Sequence, residues 1–172
     1  LDIGLKRPIQ LSEEALWNKI IVQKRGGFCY ELNGLFARLL QEIGYNATYL
    51  NARVYNRQGN PGIDFDHLAL LVQVPDQPGR WLVDVGFGDG FLDPLPLEPG
   101  DYHQGFLEYR VTQVGERWIV YCHEYAGADS FDFTLAPRQL ADFSRQCHEL
   151  QTSPESSFVK NTVCQRFVPG GF

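Results

Sequence analysis

At Ala47 the spacing of apolar residues switches from helical to strand-like, and this switch restricts the fold more than any other feature of the chain. Before it, Leu32, Leu35, Phe36, Leu39, Leu40 and Ile43 recur at helical intervals, and Gly44 supplies a C-terminal stop. An earlier helix is predicted from Ser12, with Glu13 and Glu14 in its first turn and Leu16, Ile20 and Ile21 on its apolar side, fading near Lys24. After the switch, "ATYLNARVY", "HLALLVQV", "RWLVDVGF", "FLEYRVTQ" and "RWIVYCHEY" are short β-branched and aromatic runs separated by turn residues. They predict an antiparallel sheet that curls or closes. Helical spacing returns in "PRQLADFSRQCHEL" and is broken by "QTSPES", and the closing "CQRFVPGGF" reads as a strand-like run and a turn. The fold class is therefore α+β, with a helical part over 1–46, a sheet over 47–133 and the start of a further α/β unit over 134–172.

A chain of 172 residues that is 44% hydrophobic can bury a substantial core. Its net charge of -6 and scattered basic residues lack the electrostatic footprint of a nucleic-acid binder. No apolar run approaches a membrane span and no signal-peptide pattern opens the chain, so the expectation is a soluble cytoplasmic protein without membrane partners. The sequence contains no Met, so a fragment or a trimmed chain is the expectation. Cys29, Cys122, Cys147 and Cys164 form no CxxC pair, and Cys122-His123 and Cys147-His148 lack zinc-ligand spacing. No metal is expected, and those pairs read as buried thiols beside surface imidazoles.

Cys29 follows Gly26, Gly27 and Phe28 at the start of the predicted helix, where unpaired N–H groups and the helix dipole stabilise a thiolate. The alternative is an ordinary buried thiol. A nucleophilic Cys needs a base and an orienting group. His67 opens "HLALLVQV" and is the candidate base, presented at a sheet edge. Asp84 interrupts the apolar "WLVDVGFG", where a carboxylate is costly unless it is paired. It could orient His67 or serve as a strand-end cap. The glycines of "VGFGDG" could cradle a phosphate or simply form a tight turn.

The order Cys, His, Asp at 29, 67 and 84, carried by "RGGFCYELN", "HLALLV" and "VDVGFGDG", closely resembles the arylamine N-acetyltransferase family. The opening "LDIGLKRPIQL" and the later "ELQTSPESSF" extend the resemblance along the chain. It implies a papain-like cysteine transferase fold: a helical domain, a β-barrel and an α/β lid. The activity it implies is acetyl transfer from acetyl-coenzyme A to aromatic amines or hydrazines through an acetylated cysteine. Cys29, His67 and Asp84 would be the triad. Phe28, Asp66 and Phe87 would contact the acceptor, although Phe87 reads equally well as core. Ile63, Gly86, Gly88, Thr152 and Ser157 would contact the cofactor. Family members are longer, so the leading helices and most of the lid are expected to be missing here, with apolar surface exposed where they would pack. "NPGIDFDH" departs from the small polar residues often found before the family His.

A cysteine peptidase is the first rival, because Gln23 precedes Cys29 as an oxyanion-hole Gln does in papain-like enzymes. In such peptidases, however, the His lies roughly 130–150 residues after the Cys. A transglutaminase-like enzyme, an amide synthase of the same family and a non-catalytic coenzyme A binder remain as alternatives.

Overall fold

The structure is a computed structural model that describes residues 2–57, 62–162 and 168. Ser12 Oγ accepts the Ala15 N–H at 3.3 Å and starts α1 (Glu13–Leu16). The helix does not continue in α register as its sequence predicts; it widens into a π-helix over Trp17–Val22. This wider turn carries Lys19, whose Nζ lies 2.6 Å from Asp2 and also pairs with Glu31. Helix α2 (Cys29–Glu42) forms where its period predicts, and Gly44 ends it at φ +98°. Of the predicted stripe, however, only Leu40 is buried; Tyr30, Asn33, Gly34 and Ala37 make up the buried face, and Leu39 and Ile43 are exposed.

Eight antiparallel strands then form a nearly closed sheet: β1 (Asn46–Asn56), β2 (His67–Gln73), β3 (Trp81–Val83), β4 (Leu95–Pro96), β5 (Gly100–Gln104), β6 (Leu107–Val114), β7 (Arg117–Tyr121) and β8 (Ala128–Phe133). Their spatial order is β4-β3-β2-β1-β8-β7-β6-β5, so the two edge strands are neighbours in sequence. Gln104 on β5 stitches the segment before β4 to this edge. Its Oε1 accepts the N–H groups of Leu92 and Asp93 at 2.7 and 3.0 Å, and its Nε2 donates to the Asp93 carbonyl at 2.7 Å.

Strand β2 is buried on both faces. Leu68, Leu70 and Val72 meet Tyr30, Leu40, Phe143 and Cys147 on the α2 side, whereas Ala69 and Leu71 point into the sheet interior with Leu50, Phe131 and Phe133. Alternation along a strand dictates this division, and it puts His67 on the same side as Ala69. After β8, a 3-10 turn (Leu140–Phe143) leads into α3 (Ser144–Thr152) and α4 (Ser157–Lys160). Phe143 and Cys147 anchor these helices in the α2 core. Ser156 Oγ donates to the Leu150 carbonyl at 2.6 Å and accepts the Phe158 N–H at 3.2 Å, which fixes the start of α4.

Three readings change. His67 sits inside the sheet order, not at an edge, because β2 is flanked by β1 and β3. His123 is buried, with Nε2 2.8 Å from the Asp89 carbonyl, so only His148 of the two Cys-His pairs is a surface imidazole. The segment SFVK, which starts at the last two residues of "ELQTSPESSF", is helical; the strand expected in "CQRFVPGGF" lies largely outside the described residues. Trp17, Ile21, Leu39 and Val85 are exposed and line an apolar groove of ≈ 1000 Å³ beside α2, in keeping with the expected exposure of apolar surface. Among the described residues no helix is long and apolar enough to cross a membrane.

Candidate active site

Phe28 is the extended residue before α2, and its N–H donates to Glu31 Oε2 at 3.3 Å. Glu31 is itself buried and paired with Lys19, which bridges to Asp2, and Asp2 is paired with Arg25. This chain of charges ties the turn before Cys29 to the α1 region. Gly27 is needed there, since a Cβ would lie 2.8 Å from Glu31 Cβ, whereas Gly26 has open space around it. Cys29 is thereby fixed as the first residue of α2, 5% exposed.

His67 Nε2 lies 2.5 Å from Asp84 Oδ2, and the ring sits beside the Cys29 thiol, close enough to interact with it electrostatically. With Nε2 committed to the carboxylate, the other ring nitrogen is left for the sulfur. Burial alone would lower the imidazole pKa. The charges of Asp84 and Cys29 and the polar contacts with both outweigh burial and push it up to about 10. A raised pKa means that the ring keeps its proton as pH rises through neutrality, which favours an imidazolium beside the sulfur.

Asp84 follows β3, and its Oδ1 accepts three donors: Asn33 Nδ2 at 2.7 Å, Gly86 N at 2.8 Å and Phe87 N at 3.0 Å. Both sequence readings therefore hold together, because one oxygen caps the turn and the other faces His67. Asn33, fully buried, also donates to the Leu68 carbonyl at 2.6 Å and accepts the Val85 N–H at 2.9 Å. It locks α2, β2 and the Asp84 turn together. Its role was not anticipated, although a polar residue four positions after Cys29 on the same helix face was a visible signal.

Gly86 presses against the start of α2. An added Cβ would lie 2.6 Å from Cys29 Cα and 3.1 Å from the Cys29 carbonyl. Gly86→Ala should therefore cost about 1–3 kcal/mol in urea unfolding, while Gly26→Ala should stay within about 0.5 kcal/mol. Equal effects of the two would refute the close-packing argument.

Phe28, Cys29, Asp66, His67, Gly86 and Phe87 line a cavity of ≈ 420 Å³, joined by Asp89, Leu150 and Phe158, which sequence reasoning did not single out. The Phe87 ring meets His67 edge-on at 4.9 Å and Phe131 at 5.2 Å, so it is cavity wall and core at once. An adjoining pocket of ≈ 390 Å³ shares Val54, Asp66 and Ser157 with the first and adds Ile63. Gly88 and Thr152 line neither. Gly88 has φ +93°, and the Thr152 hydroxyl donates to the His148 carbonyl at 2.7 Å. Among the described residues no group of three or more His, Cys, Asp or Glu could hold a metal ion.

A buried Cys-His-Asp chain at a helix N-terminus, opening onto a cavity beside a curled antiparallel sheet, defines the class of thiol-centred α+β folds. A sequence profile described as N-acetyltransferase matches residues 1–172. The arylamine N-acetyltransferase / N-hydroxyarylamine O-acetyltransferase of Salmonella typhimurium is 37% identical over 99% of the chain and 61% of its own length. The structure of the Mycobacterium marinum arylamine N-acetyltransferase in complex with CoA superposes with a TM-score of 0.82 at 32% identity, over 92% of this chain and 60% of that one. That of a Bacillus cereus arylamine N-acetyltransferase with a Cys-His-Glu catalytic triad superposes at 0.80 with 25% identity, over 92% and 64%. The chain belongs to the arylamine N-acetyltransferase family. It spans about three fifths of the length of these relatives.

Proposed function

We propose that the chain carries the catalytic centre of an acetyl-coenzyme A-dependent N-acetyltransferase acting on aromatic amines or hydrazines. The observation that carries this reading is the unbroken contact chain Cys29–His67–Asp84 at the wall of the cavity. The Cys29 sulfur, its proton held by His67, attacks the thioester carbonyl; the bond to the coenzyme A sulfur breaks, and His67 returns the proton to that leaving thiolate. The amine then attacks the acetyl-cysteine and gives its proton to His67. The carbon–sulfur bond to Cys29 breaks as the amide leaves, and the thiol is restored. Asp84 holds the ring and stabilises its charged form throughout. Phe28 and Phe87 offer apolar walls for an aromatic acceptor, and Asp66 a polar contact. Ile63 and Ser157 would meet the donor along the adjoining pocket, with Gly86 at the turn. Gly88 and Thr152, which line neither pocket, are retained as donor contacts only through the family resemblance.

Intact mass after mixing with acetyl-coenzyme A and no amine tests this. One acetyl group on Cys29, lost on adding an arylamine, is the expected result. No adduct would exclude the acetyl-enzyme, while an adduct that only water removes would exclude the amine transferase.

Iodoacetamide should alkylate Cys29 ahead of Cys122 and Cys147 near neutral pH, measured by peptide mass mapping. Burial, helped by neighbouring carboxylates, pushes both of those thiols up to about 12, whereas Cys29 has an imidazolium beside it. Equal rates at the three sites would remove His67 as the activating partner.

A further inference from the structure

The backbone entering β2 is strained, and the strain has a purpose. Phe65 has φ +64°, a left-handed conformation that costs a bulky residue roughly 1–3 kcal/mol. Four side chains hold it there. The Tyr30 hydroxyl, on a fully buried side chain, donates to the carbonyls of Phe65 and Asp66 at 2.6 and 3.0 Å, and the Phe65 N–H donates to Asn51 Oδ1 at 2.5 Å. The Phe65 ring packs edge-on against Phe143 at 5.2 Å and beneath Arg138 at 5.5 Å. The residue delivered by this clamp is Asp66, whose side chain lines both connected pockets beside His67.

The charge balance of those pockets is one-sided. Among the described residues no Lys or Arg lines either of them. Asp89 Oδ2 is taken by the Gly127 N–H at 2.8 Å. Burial pushes the Asp66 carboxyl above its usual range, opposed by the charge of His67 and by the Val54 N–H that it accepts, and among the described residues no Lys or Arg is paired to it. Once Cys29 carries an acyl group and His67 is neutral, ready to take the amine proton, no described side chain at the wall offsets a negative charge on Asp66.

We propose that Asp66 selects the acceptor by charge: the cavity takes aromatic amines or hydrazides bearing a positive charge or an N–H donor elsewhere on the molecule and turns away those bearing a carboxylate. This inference rests on the acyl-transfer reading above. A carboxylate on the acceptor within several ångströms of Asp66, in surroundings far less polarisable than water, is disfavoured by about ten-fold or more.

The test uses p-nitrophenyl acetate, which acetylates a reactive thiol without a carrier to bind. The rates at which p-aminobenzoate and p-aminobenzamide, nearly the same in shape, discharge the acetyl-enzyme are then compared. The amide should be favoured about ten-fold over its advantage in uncatalysed acetylation in water. Asp66→Asn should erase that preference and Asp66→Glu should keep it. An amide-to-acid ratio on the unaltered protein equal to that in water overturns the inference without recourse to a variant. So does a ratio unchanged in Asp66→Asn. Absence of acetyl on Cys29 overturns the acyl-transfer reading and this inference with it, whereas failure with acetyl-coenzyme A alone, the p-nitrophenyl ester still reacting, touches only the donor.

Discussion

Cys29→Ser should abolish acyl transfer, lowering turnover by at least about a thousand-fold, equivalent to roughly 4 kcal/mol of barrier. The substitution removes one sulfur atom from a side chain that is 5% exposed and leaves an oxygen able to hydrogen-bond to His67, so the fold should persist. Chemistry should not persist, because a hydroxyl gives up its proton far less readily than a thiol, and an imidazolium beside it cannot make up the difference. The measurements are turnover with an arylamine and intact mass after acetyl-coenzyme A, with circular dichroism to establish the fold. Turnover within ten-fold of the unaltered protein would remove Cys29 from the centre of the mechanism.

Asp84→Asn should be nearly as damaging, by about a hundred-fold or more, and the hydrogen bonds say why. Three donors converge on Oδ1: the Asn33 amide and the N–H groups of Gly86 and Phe87. The amide oxygen of the substituted side chain must occupy that position, which turns its NH₂ towards His67 Nε2. His67 must then accept at Nε2 and carry its proton on the nitrogen facing the sulfur, the tautomer that cannot take a proton from the thiol. The Asp84 charge that raised the imidazole pKa is lost as well, so burial pulls it down. Nitrogen chemical shifts of His67 across pH report both effects. The unaltered ring should stay protonated through neutral pH and titrate near 10, the substituted one at a lower pH. An unchanged titration and an unchanged rate would return Asp84 to a purely structural role.

Much of this arrangement was legible because it is local. The α2 helix, though not its buried face, the Gly44 stop and the runs that became β1, β2, β6 and β7 each carry a local signal. Cys29, His67 and Asp84 each sit where their chemistry is anomalous for the surroundings. What stayed hidden depends on partners distant in the chain. "ADSFDF" does not read as a buried strand, yet Asp132 within it is held by Arg53 at 2.6 and 2.8 Å, Arg117 at 2.8 Å and Tyr55 at 3.0 Å, side chains of β1 and β7. Strand β4 is two residues long and β5 is mostly polar at an edge, so neither has an apolar period to detect. The left-handed Phe65 has no local signature, because Tyr30, Asn51 and Arg138 impose it from three other segments.

The pairing of β1 with β8, Ala52 opposite Phe133, joins segments far apart along the chain, whereas α2, β1, β2 and β3 each pack on a near neighbour in sequence. Closing a long loop is entropically dearer than closing a short one, so contacts within the early segments have the lower threshold to form as the chain folds. Cys29, His67 and Asp84 all lie in or directly beside those segments. Phe131, Gly127 and Ala128, which complete the wall around them, belong to the β8 region. The order of assembly thus separates two tasks: the reactive centre can be drawn together by short-range contacts, and its shelter from water is completed when the long-range strand arrives.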